Sequence, residues 1–135
     1  MKIAHAAIYT RNPEKLRDFY CKWFGGQAGP KYENSNKGFS SYFISFGTGA
    51  RLELMNSVYL AETVRRRYAA GYAHLAFSTD SEQDVENLTA RMKESGVPVV
   101  SEPRRTGDGY YESCVLDPDG NRVEITAGEH KVHEK

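Results

Sequence analysis

The stretch His5-Ala6-Ala7-Ile8-Tyr9-Thr10 returns as His74-Leu75-Ala76-Phe77-Ser78-Thr79, an offset of 69 residues. The same offset carries Leu16, Phe19 and Trp23 onto Val85, Leu88 and Met92. Those are i, i+3 and i+7 positions, the apolar stripe of an amphipathic helix. Both helices have start signals: Asn12 before Pro13 reads as N-cap and first helical residue, and Ser81 with Asp84 as a capping-box variant. Further on, Arg51-Leu52-Glu53-Leu54 returns as Arg122-Val123-Glu124-Ile125 at an offset of 71. The extra residues fit the preceding hairpin turn, where Phe46-Gly47-Thr48-Gly49-Ala50 faces Leu116-Asp117-Pro118-Asp119-Gly120-Asn121, and turns absorb insertions at least cost.

One supersecondary unit therefore occurs twice, in the order strand, helix and three strands, which predicts an α+β chain of two tandem βαβββ modules. The first module, 1–60, reads as strand 3–9, helix 13–24 and strands near 26–32, 40–46 and 51–56. The second, 71–127, reads as strand 72–79, helix 82–95 and strands near 97–104, 110–116 and 122–127, with Gly96 closing the helix. Residues 61–70, with Arg65-Arg66-Arg67, join them, making 1–127 a single domain followed by a polar tail, 128–135.

Composition bounds the function. At 135 residues the chain is long enough to bury a core without disulfides. Eighteen basic residues balance eighteen acidic ones, so no net field draws the chain to nucleic acid or to an anionic membrane. No apolar run approaches the ~18 residues of a membrane span. Cys21 and Cys114 have no redox or metal spacing, which reads as reduced thiols and a cytoplasmic protein.

Strand alternation sorts the polar residues. Ala4, Ala6 and Ile8 share one face of the first strand and His5 and Tyr9 the other; Leu75 and Phe77 oppose His74; Leu52 and Leu54 oppose Glu53; Val123 and Ile125 oppose Glu124. The amphipathic helices must cover the apolar sets, which leaves His5, Glu53, His74 and Glu124 on the uncovered faces. Two imidazoles and two carboxylates at repeat-equivalent positions suit one borderline or hard divalent metal with open positions for a ligand. The alternative for each glutamate is an ion pair with its same-face neighbour, Arg51 or Arg122. Tyr42, Tyr72, Tyr110 and Tyr111 are candidates for a cavity lining or a dimer contact, Trp23 reads as core, and His130 and His133 as solvated.

On these residues, and on Gly71-Tyr72-Ala73-His74-Leu75-Ala76-Phe77 and Asp117-Pro118-Asp119-Gly120-Asn121-Arg122-Val123-Glu124-Ile125, the chain resembles the vicinal oxygen chelate superfamily of glyoxalases, bleomycin-resistance proteins and dioxygenases. The resemblance implies a half-barrel sheet with helices on its outer face, a cavity often completed by a second subunit, and a homodimer. The His, Glu, His, Glu set is most similar to glyoxalase I. It implies His5, Glu53, His74 and Glu124 as ligands of a divalent ion, nickel or cobalt ahead of zinc. The implied small-molecule substrate is the hemithioacetal of a 2-oxoaldehyde and a thiol, converted to a 2-hydroxyacyl thioester by proton transfer through a metal-stabilised enediolate. Glu124 and Glu53 flank it as catalytic carboxylates, with Glu124 the base. Tyr9 and Asn56 depart from the residues that grip glutathione in that family. An epimerase, thiol transferase or dioxygenase of the same superfamily, or a non-catalytic protein that sequesters a small ligand, are the alternatives.

Overall fold

A computed structural model describes residues 1–62 and 66–127. Arg65 of the arginine run and the tail histidines His130 and His133 lie outside the described residues. The chain forms two compact units with the boundary between Arg66 and Arg67, inside the expected joint. The first contains β1 (His5–Tyr9), α1 (Pro13–Phe24), β2 (Gln27–Ala28), β3 (Tyr32–Asn34), β4 (Phe39–Ser45) and β5 (Arg51–Ser57). The second contains β6 (His74–Ser78), α2 (Glu82–Glu94), β7 (Val99–Arg105), β8 (Tyr111–Leu116) and β9 (Arg122–Thr126). Both are α+β modules of the kind the repeat predicts.

Their sheets have matching strand orders, β1-β5-β4-β2 with β3 also on β4, and β6-β9-β8-β7. In each, the first and last strands are parallel neighbours and the remaining pairs are antiparallel. A parallel pair needs a long connection, which the helix and middle strands supply. The register repeats as well: His5 lies opposite Arg51 and Ala7 opposite Glu53, as His74 lies opposite Arg122 and Ala76 opposite Glu124.

The expected strand at 26–32 is broken into β2 and β3. Gly29 donates its N–H to the Phe43 carbonyl, but the next residue, Pro30, has no N–H to give the ladder. Gly26 sits where the backbone passes close to β4; a Cβ there would lie 2.5 Å from Ile44 Cγ2.

The helices bury Leu16 and Tyr20 against Ile44 and Leu54 in one unit, and Val85 and Met92 with Val115, Val123 and Ile125 in the other. Each such aliphatic side chain contributes about 1.5–3 kcal/mol of transfer free energy. Trp23 is not core: it is half-buried at the end of α1 with the Lys22 ammonium 4.7 Å from its ring, and Tyr20 is buried instead. Likewise Leu88 is half-buried, and Thr89 takes the interior position, its hydroxyl 2.7 Å from that of Ser113. Helical spacing locates a stripe only to within one residue, because neighbouring stripes overlap at 3.6 residues per turn.

The helix starts differ too. Ser81 accepts a hydrogen bond from the Asp84 N–H as expected. Asn12 makes no side-chain cap, and the buried Thr10 hydroxyl instead accepts from the Asn12 N–H. Gly96 ends α2 at φ +91°, with Val97 N–H returning to the Met92 carbonyl, a Schellman closure. Among the described residues no helix is long and apolar enough to cross a membrane.

Candidate metal centre

Burial settles the faces within each module. Leu52 and Leu54 are buried under α1, and Val123 and Ile125 under α2. The alternate residues of those strands are therefore on the face the helix does not cover. In the first module His5 Nε2 lies 3.7 Å from Glu53 Oε1; in the second, His74 Nε2 lies 2.8 Å from Glu124 Oε1. The imidazoles are 45% and 40% exposed and the carboxylates 16% and 20%, so each histidine is open to a ligand while its glutamate is held among neighbours. Each glutamate has an exposed alanine as its cross-strand neighbour, Ala7 opposite Glu53 and Ala76 opposite Glu124.

The structure thus brings His5 to Glu53 and His74 to Glu124. Among the described residues no group of three or more His, Cys, Asp or Glu side chains is gathered for an ion; each module contributes one pair. The glutamates lie beside these histidines, while the Arg51 guanidinium lies 4.3 Å from the Phe43 ring centroid. That ring also meets His5 edge-on, centroids 5.5 Å apart.

Of the tyrosines offered for a cavity lining, Tyr42 is buried on the helix side, its hydroxyl accepting from Arg17 Nη1. Tyr111 is also committed to the helix side, donating to Glu86 of α2, which raises its phenol above the ordinary value. Tyr72 is fully exposed. The sequence reading overlooked the middle strands. Phe43 lies opposite Glu53, Cys114 opposite Glu124, and Glu112 opposite Thr126. Alternation in Tyr111-Glu112-Ser113-Cys114-Val115-Leu116 was the available signal: Ser113 and Val115 are wholly buried, and Glu112, Cys114 and Leu116 alternate with them. Burial raises the Cys114 thiol above its usual range, with the Arg122 charge opposing. Burial, then the Glu124 charge, raise the Glu112 carboxyl.

The sequence model of the Glyoxalase/Bleomycin resistance protein/Dioxygenase superfamily matches residues 2–125. The chain belongs to this superfamily. Among its relatives, the uncharacterized protein YqjT of Bacillus subtilis (strain 168) is 28% identical over 130 residues, 91% of this chain and 96% of that protein. The glutathione transferase FosA of Serratia marcescens is 37% identical over 57 residues, 42% of this chain and 38% of that one. The trypanothione-dependent glyoxalase I of Leishmania major has the same fold, with a TM-score of 0.75 at 22% identity over 94% of this chain and 86% of that one.

For a member of this superfamily, the test of a metal centre is whether its donors suit an ion. Imidazole nitrogen and carboxylate oxygen are ligands for a borderline or hard divalent cation. Two such atoms on adjacent sites of an octahedron with bonds near 2.1 Å stand about 3 Å apart. The 2.8 Å separation in the second module matches that edge, and 3.7 Å in the first lies somewhat beyond it. The donors fit.

Proposed function

We propose that the protein is a metal-dependent glyoxalase-I-like isomerase acting on the hemithioacetal of a 2-oxoaldehyde and a thiol. The observation that carries the reading is the repeated imidazole–carboxylate pair, His5 with Glu53 and His74 with Glu124, on the uncovered face of each module. In this reading the four side chains hold one divalent ion, nickel or cobalt in preference to zinc, in a homodimer. The ion supplies a Lewis acid for two neighbouring substrate oxygens.

Glu124 is the base. Its carboxylate takes the proton from the thiol-bearing carbon and returns it to the adjacent carbon, while the hydroxyl proton of the first carbon passes to the neighbouring oxygen, so atoms and electrons balance without an added reactant. His74, its Nε2 2.8 Å from Glu124 Oε1, is a ligand beside that carboxylate, and Glu53 holds its place as a ligand.

The deciding experiment loads the protein with nickel, cobalt or zinc and follows thioester formation from methylglyoxal with glutathione and other cellular thiols. Turnover that Glu124→Gln lowers by a factor of a hundred or more is expected, since proton transfer by a positioned group contributes 10²–10⁴-fold. No turnover with any thiol and any metal would end the reading. The similarity to FosA supports a second one, thiol transfer, for which three donors suffice. Glu53→Ala separates them: it disables an isomerase that needs four donors and spares a transferase.

A further inference from the structure

The ring of Phe43 touches two charged or chargeable side chains on the uncovered face of the first module. It meets the His5 imidazole edge-on, centroids 5.5 Å apart and planes at 78°. The Arg51 guanidinium lies 4.3 Å from its centroid. Phe43 itself is half-buried on β4, directly opposite Glu53, and Arg51 is exposed on β5, directly opposite His5 and two residues before Glu53.

This arrangement leaves an available ion pair unmade. Residues i and i+2 of a strand point to the same face, and an arginine side chain is long enough to reach a carboxylate placed there. Among the described residues, however, Arg51 makes no hydrogen bond or ion pair, and its charged end is on the Phe43 ring. Glu53 is half-buried, and its ion partner among the described residues is the His5 imidazole, 3.7 Å away, too far for a hydrogen bond. In the second module Cys114 stands opposite Glu124, where the first has Phe43, and His74 lies 2.8 Å from the Glu124 carboxylate. Glu53 is therefore the carboxylate open to capture, and Arg51 the cation within reach. At an exposed site a cation over a ring and a cation beside a carboxylate are of similar strength, so the ring decides which of the two the guanidinium takes.

We propose that Phe43 is a positioning residue: its ring holds Arg51 off the Glu53 carboxylate and braces the His5 imidazole, leaving both groups of the first module free for a ligand. The edge-on contact is the one that fixes a neighbouring ring's orientation. For the ion that those groups hold, the inference rests on the metal-centre reading.

The test measures nickel affinity by equilibrium dialysis for the full chain as wild type, Phe43→Leu, Arg51→Met and the double variant, with circular dichroism as the folding control. Phe43→Leu is expected to bind nickel about fivefold more weakly, the ratio that corresponds to an ion pair of about 1 kcal/mol. Arg51→Met alone changes the affinity little, but added to Phe43→Leu it restores most of the loss. Phe43→Tyr keeps the ring and binds as the wild type does; Phe43→Met, of similar volume, repeats the measurement without a ring. Packing damage is not repaired by removing Arg51, so an equal effect of Arg51→Met in both backgrounds overturns the inference. A second readout needs no metal. Hydrogen exchange at the Arg51 Nε–H, followed by ¹⁵N NMR of the metal-free chain, slows in Phe43→Leu and returns to the wild-type rate when Glu53→Ala is added. An unchanged rate in Phe43→Leu also overturns the inference. A wild type that takes up no nickel, while the exchange follows the expected course, overturns the metal-centre reading and leaves the hold of the ring on Arg51 standing.

Discussion

At the scale of single residues, space and protonation carry as much information as the donors themselves. Ala7 and Ala76 lie directly opposite the two glutamates, where a bulkier side chain crowds the carboxylate, so Ala76→Leu is expected to weaken metal uptake tenfold or more while every donor remains. Equilibrium dialysis against nickel, with circular dichroism as the folding control, checks this. Cys114 is 5% exposed and its thiol is held above the usual range by burial, whereas Cys21 is half-buried. Thiolate is the reactive form, so iodoacetamide labels Cys21 of the native chain first, as peptide mapping will show. Tyr111 donates to Glu86, which raises its phenol above 10. A raised value means that the contribution of this bond is present below the unfolded pKa and is lost as pH rises through the folded one. In Glu86→Ala the Tyr111 resonance of ¹³Cζ-labelled protein titrates at lower pH.

Elements show which local signals were legible. The boundaries of α1 follow from Pro13 and from Gly25, at φ +68°, and those of α2 from Ser81 and Gly96. The two N-termini differ in a way that composition hides. Ser81→Ala removes a made bond and costs about 1 kcal/mol, whereas Asn12→Ala removes none and costs less; urea denaturation of the two variants ranks them. The alternation of β1, β5, β6 and β9 placed the four proposed donors on uncovered faces, because one face of each strand is covered by a helix and the period is two. The split of 26–32 was less visible, although Gly29-Pro30 stood in the sequence as its cause. Gly26→Ala tests the close approach to β4: with Ile44 Cγ2 and Phe46 Cε1 at 2.5 and 2.9 Å from the added Cβ, a loss of about 1–3 kcal/mol is expected from overpacking.

For the whole molecule, the two modules are a sequence repeat expressed as a repeated register. Neither sheet is closed, and β1 and β6 are the ends of their strand orders. Charge balance gives a sequence pI of about 6.9, so solubility is expected to be lowest near neutral pH, as precipitation across a pH series will reveal. An ion held by the folded chain and not by the unfolded one stabilises by mass action, about 2.7 kcal/mol at a free concentration a hundred times the dissociation constant. Calorimetric scans with and without nickel therefore test the proposed metal centre independently of turnover.

The sequence by itself determined the repeated module and the strand faces on which the four proposed donors stand, since each depends on a local period or on an offset that can be read along the chain. Tertiary structure alone decided which stripe of each helix is buried, putting Tyr20 and Thr89 inside in place of Trp23 and Leu88. It also decided that Phe43, Cys114 and Glu112 share the faces of the donors. These depend on cross-strand register and on how a helix is rotated over its sheet, and both are set by packing between residues far apart in the chain, which no local period encodes.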